Sequence, residues 1–165
     1  MTTFFRTIEF LSLSLWLGAD AFLSFVVAPG AFAVLASRDQ AGVMVGYSLY
    51  RMHFAGVVCG LVFLLARVAR TRTMGSLAGP AALCVVLMIL LTVISVHVVS
   101  PRMAVLRGQM GSIERVAASS QASDNPLLAE FRKWHRVSVM LEGGVLLAGL
   151  AGMLLLVREM NRAGV

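Results

Sequence analysis

Five ionisable residues, Asp20, His53, His97, His135 and Glu142, lie inside or at the ends of long apolar runs. An imidazole can ligate a transition metal, carry a proton or hold a haem iron axially, and a nearby carboxylate can supply the counter-charge. Charges inside a membrane are costly, which makes function the default reading for each of them. His135 and Glu142 are seven residues apart with Ser138 between them. On a helix that spacing puts them on almost the same face, about 10 Å apart along the axis. His53, His135 and Glu142 are therefore the candidate site, as metal ligands or as a proton relay, with His97 and Asp20 as weaker members. Each also has a plainer reading. His135 between Trp134 and Arg136 suits an interfacial anchor, and His97 is near enough to a helix end to snorkel. A mid-membrane carboxylate must be paired or protonated, so Asp20 or Glu142 could pair with Arg51, or Glu142 could hydrogen-bond across the bundle.

These residues need long apolar helices to position them. The chain has 165 residues, 59% hydrophobic and 13% charged, with a mean hydropathy of +0.87. A soluble domain carries about 25% charged residues, so the composition is that of a membrane protein. The pattern predicts an all-α integral membrane four-helix bundle, a single domain over residues 1–165. Its spans are expected near 8–35, 46–66, 80–99 and 137–157, each long enough for a hydrocarbon core of about 30 Å. The first run is too long for a signal-peptide core and contains Asp20, so it reads as a retained helix, kinked or ended by Pro29-Gly30. In the loop 100–136, Met103, Leu106, Met110, Ile113 and Ala117 recur at helical steps, predicting an amphipathic surface helix. A flexible link follows at Ser119 to Asp124. Asn125-Pro126 then reads as a cap and first residue of a long rod containing the fourth span.

Alternating helix direction brings all three histidines toward the end that carries the 1–2 and 3–4 connections, here called the loop end. Met44, Met52, Met103 and Met140 fall on the same side. Thioether and imidazole together suit Cu(I), although methionines also serve as core gap-fillers. Gly56 and Gly60, and Gly144, Ala148 and Gly152, form two small-residue seams that allow close helix approach, either within the chain or to other membrane subunits. Arg67, Arg70 and Arg72 against Arg38 favour cytoplasmic termini, while the basic 3–4 loop argues the other way. The net charge of +6 sits mainly at the ends of apolar runs, where it meets lipid headgroups of the bilayer rather than nucleic acid. Cys59 and Cys84 lack metal or redox spacing and read as buried hydrophobes. No catalytic motif is present, so the expectation is a non-enzymatic protein of a bacterial inner membrane.

The chain resembles the transmembrane protein 205-like family, a domain of unknown function. The resemblance rests on Leu17-Gly18, Pro29-Gly30-Ala31-Phe32, Ser100-Pro101-Arg102 and, most specifically, Phe131, His135 and Ser138 as an F-x-x-x-H-x-x-S opening of the fourth helix. It implies a four-helix membrane bundle and importance for His135 and Ser138, with no reaction or cofactor to carry over. Glu142 stands where that pattern has an uncharged polar residue. The first helix is more remotely similar to copper-resistance membrane domains of the CopD type. Three functional readings stay open: a metal-binding or proton-relaying cluster, an accessory subunit of a larger membrane complex, and a haem-binding redox protein using two histidines.

Overall fold

All four prolines fall in the first two residues of a helical segment, where a missing N–H is least costly. In the computed structural model, which describes residues 2–119 and 124–162, the segments are α1 (Thr2–Phe22), α2 (Ala28–Val34), α3 (Arg38–Thr71), α4 (Pro80–Ile94), α5 (Ser100–Met110), α6 (Ile113–Ala118) and α7 (Pro126–Arg162). Among the described residues there is no strand. Pro80 and Pro126 open α4 and α7; Pro29 and Pro101 instead lie inside continuous rods. Each of those two is preceded by a π-turn, Leu23–Val27 and Ser95–Val99. There the amide of Ala28 bonds the Leu23 carbonyl and that of Ser100 bonds the Ser95 carbonyl, five residues back. The wider turn makes room for the carbonyl that a proline ring would strike in a regular helix. The chain thus makes four rods long and apolar enough to cross a membrane: Thr3–Val34, Arg38–Thr71, Pro80–Met110 and Pro126–Arg162.

The rods overrun the expected spans at the loop end. Helix α3 starts at Arg38 because Ser37 caps it, accepting the Gln40 amide at 3.2 Å. The amphipathic stretch beyond Val99 continues α4 through the π-turn as α5, then turns at Gly111 (φ 69°) into α6. Its apolar stripe finds a partner in the first turns of α7: Leu106 is buried, Met103 and Met110 half-buried, and α5 packs along α7. That start is capped as the sequence predicts, with Asn125 Oδ1 accepting the amides of Leu127 and Leu128 at 3.0 and 3.2 Å. The link expected at Ser119 to Asp124 lies mostly outside the described residues. A polar latch ties the two loops together. Asp39 accepts from the Ser112 hydroxyl (2.6 Å) and the Ile113 amide (3.1 Å), and Glu114 accepts the Arg38 amide (3.1 Å).

Helix α1 packs along α3 and α7, and α4 along the same two helices, so α1 faces α4, and α3 faces α7, across the bundle diagonals. Trp16, Leu13, Phe63, Val85, Met88, Val145 and Leu156 fill the centre. Outward positions such as Phe25, Phe54, Leu65 and Leu147 are more than two-thirds exposed, the face a bilayer would cover. Both small-residue seams are used for close helix approach inside the chain. A Cβ on Gly56 would strike the Trp16 indole, and one on Gly60 would stand 2.7 Å from it. Gly144 faces Leu91, Gly152 faces Cys84, and Ala148 is buried.

Candidate functional site

Glycine contacts fix the register of the bundle. Gly152 of α7 stands beside Cys84 and Leu13, and one turn toward the loop end Gly149 stands beside Met88 and Leu17. One further turn, at 1.5 Å per residue, brings α1 to Asp20, α4 to Thr92 and α7 to Val145. On α3, Gly56 lies against Trp16, and the next inward position toward the loop end is His53. Ser95 and Glu142 follow one turn higher. Each of the four rods therefore contributes a polar residue to the bundle axis.

The centre of this site is a hydrogen bond between His53 Nε2 and Glu142 Oε1, 2.8 Å long, running along the α3–α7 diagonal. The Ser95 hydroxyl, at the first residue of the π-turn, donates to the same Glu142 oxygen at 3.3 Å. His53 is buried, whereas the Glu142 side chain is 13% exposed, so the pair has one sealed member and one near the surface. Asp20 is 0% exposed and within coulombic reach of both His53 and Glu142, yet neither of its oxygens has a hydrogen-bond partner.

That lack of partners extends across the site. Among the described residues, seven buried side-chain N or O atoms lack a partner. Six of them belong here: Trp16 Nε1, both Asp20 oxygens, His53 Nδ1, Thr92 Oγ1 and Glu142 Oε2. Native interiors hold few such atoms, and leaving one unsatisfied costs about 1–3 kcal/mol. Their concentration within about two turns along the bundle axis marks a place where the fold tolerates instability.

The five sequence candidates separate in space. His53 and Glu142 meet, and Asp20 joins them through charge. His135 does not. It is exposed and stacks on Phe131, with centroids 6.3 Å apart and planes 4° apart. Seven residues of helix separate it from Glu142, so nearly sharing a face did not bring them together. His97 is exposed as well, off the face that Thr92 and Ser95 turn to the axis. Arg51 is exposed and makes no bond to Asp20. Among the described residues, no group of three His, Cys, Asp or Glu side chains is arranged to hold a metal ion. Trp16, Thr92 and Ser95 were not sequence candidates. Their available signal was helical spacing, since Trp16 precedes Asp20 by four residues and Thr92 precedes Ser95 by three.

A second polar group lies at the termini end. Glu9 is fully buried and accepts from Arg67 Nε at 3.1 Å and Arg70 Nε at 2.6 Å. Arg67 also pairs with Glu159 and lies over the Phe63 ring, 5.4 Å from its centroid. Arg67 and Arg70, counted above as membrane-flanking charges, lie instead in the last two turns of α3, which turn both onto Glu9 of α1 and Arg67 also onto Glu159 of α7.

No curated protein matches the chain, and no solved structure does either. A family model described as a domain of unknown function, DUF4149, matches residues 11–112. The match takes in Asp20, His53, Thr92 and Ser95, leaving Glu142 and the Phe131–Ser138 motif beyond it. It spans well over half of the sequence, and the chain belongs to the DUF4149 family.

Proposed function

We propose that the protein binds and relays protons within the membrane, with His53 as carrier, Glu142 as its surface-side partner and Asp20 as the buried acceptor. The observation that supports this most is the 2.8 Å His53–Glu142 bond across the bundle diagonal. An imidazole holding a carboxylate at one nitrogen and leaving Nδ1 unpaired can take a proton on one side and release it on the other. The Glu142 side chain, 13% exposed, is the member of the pair nearer to solvent.

Nothing comparable favours the other readings. A haem held by two histidines needs facing imidazoles, whereas His97 and His135 are exposed and only His53 faces the axis. A transition-metal site loses His135 as a ligand. The accessory-subunit reading relied on seams that Trp16, Leu91, Ile89 and Cys84 occupy from within the chain. We also keep two expectations as proposals: kinship with transmembrane protein 205-like proteins, resting on Phe131, His135 and Ser138, and a bacterial inner membrane with cytoplasmic termini.

The test is difference infrared spectroscopy of the reconstituted protein through a pH series. A protonated-carboxyl band should rise as pH falls, and its amplitude should drop in Glu142→Gln and again in Asp20→Asn. Proteoliposomes loaded with a pH-sensitive dye should equilibrate faster than those made with either variant. A carboxyl region that stays constant with pH, together with no difference in flux, would remove the proposal.

A further inference from the structure

The six unpartnered atoms differ in what they need, and that difference describes a ligand. Both Asp20 oxygens, Glu142 Oε2 and the lone pairs of Thr92 Oγ1 accept, while Trp16 Nε1 can only donate. His53 Nδ1 donates when the ring is protonated. Neutral partners from the protein meet none of these needs.

Charge narrows the choice. The His53–Glu142 bond needs only one proton between its two atoms, and an ionised Asp20 would leave a negative charge in a setting sealed from solvent. Such a charge must be paired or neutralised. A proton on Asp20 removes the charge, as the relay requires, but gives Trp16 Nε1–H and Thr92 Oγ1 no partner. A small monovalent cation removes the charge and can be coordinated by Asp20 Oδ1 and Oδ2 together. Thr92 Oγ1 stands at the same level of the bundle by register and supplies a third oxygen. Hard cations take carboxylate, hydroxyl and water oxygens. Waters on the ion would accept from Trp16 Nε1–H and His53 Nδ1–H and donate to Glu142 Oε2, giving each buried water two or more polar partners. A divalent ion would reverse the imbalance and leave a buried positive charge. Three protein oxygens also suit a small ion better than a large one.

We infer that the buried layer between Asp20 and Thr92, with Trp16 one turn below it, is a binding site for a sodium-like monovalent cation. This deepens the proton reading above, because it names the second occupant of the same carboxylate. The groups around Asp20 are His53 on α3, Glu142 on α7, Thr92 on α4 and Ser95 at the start of the π-turn that follows α4.

The chain has two tryptophans, so Trp134→Phe leaves Trp16 as the only indole reporter. Sodium chloride is titrated into that protein in detergent, with choline chloride holding ionic strength constant, while Trp16 emission and the thermal midpoint are recorded. The inference expects a saturable, sodium-dependent change in both, absent with choline and lost in Asp20→Asn and Thr92→Val. Thermal unfolding of those variants in choline shows whether they remain folded. An equal response to choline, or one that persists in folded Asp20→Asn, would overturn the inference. So would no response at all. In that last case a carboxyl band that still titrates leaves the proton relay standing, and a constant carboxyl region removes both.

Discussion

Two charged groups of similar composition sit about 16 Å apart along the bundle, from Glu9 to Asp20 on α1 at 1.5 Å per residue. At the termini end, Glu9 is fully buried with Arg67 and Arg70 on its two oxygens, and Glu159 takes the remaining face of Arg67. On the bundle axis, Asp20 is equally buried and has nothing bound to it. Burying a charge is tolerated in the first place because the geometry offsets the desolvation. In the second it is tolerated despite being uncompensated by the protein. The termini-end network closes the bundle and holds α1, α3 and α7 together. The axial site holds polar capacity in reserve, the pattern expected where stability is given up for binding.

The largest test of this contrast removes Glu9. Glu9→Leu leaves Arg70 unpaired and Arg67 with Glu159 alone, and loss of one partner from a buried charge network costs about 3–5 kcal/mol. Thermal unfolding in mild detergent should show a large drop in the midpoint. Asp20→Leu should act in the opposite direction. It removes two unsatisfied buried oxygens at about 1–3 kcal/mol of stabilisation, so in sodium-free buffer its midpoint should rise while proton flux is lost. If both variants destabilise equally, the two groups do the same job and the distinction fails.

The four apolar spans, the bundle and the capped start of α7 were legible because period and end signals are local. Pairing between rods was not. Arg67 and Arg70 read as membrane-flanking charges, since a single sequence does not show that three helix ends converge. His135 and Glu142 illustrate the converse: sharing a helix face over two turns is not sharing a site, because the first part of α7 lies beyond the bundle and packs on α5. His97 lies exposed on the π-turn before Pro101, a feature with no local sequence signal beyond that proline. His53 was legible since Gly56 and Gly60 mark its face, and those glycines admit Trp16. Trp16 itself was overlooked because an aromatic residue in an apolar run carries no mark of which partner it meets.

That glycine face offers an intermediate test. Gly56→Leu must displace the indole from its place beside the axial site, and such overpacking costs about 1–3 kcal/mol. Gly46→Leu, where an added Cβ meets nothing within 4 Å, should stay within about 0.5 kcal/mol. If Trp16 helps to shape the site, Gly56→Leu should also weaken proton flux beyond what its loss of stability explains, measured at a temperature where both variants are fully folded. Equal flux per folded molecule would separate Trp16 from the site and confine its role to packing.

The smallest expected effect is the sharpest on the axial side. Ser95 donates a 3.3 Å bond to Glu142 Oε1, an oxygen that also bonds His53. Ser95→Ala therefore leaves Glu142 held and creates no new unsatisfied atom on it, so the loss should be about 0.5–1.5 kcal/mol. Infrared spectroscopy should find the Glu142 carboxyl band shifted in position and undiminished in amplitude, because the hydroxyl tunes that group without anchoring it. A loss approaching that of Glu9→Leu would mean that the axial residues form a rigid network after all. The two charged groups would then differ in position alone, and the reserve of polar capacity on which the proton and cation readings depend would not exist.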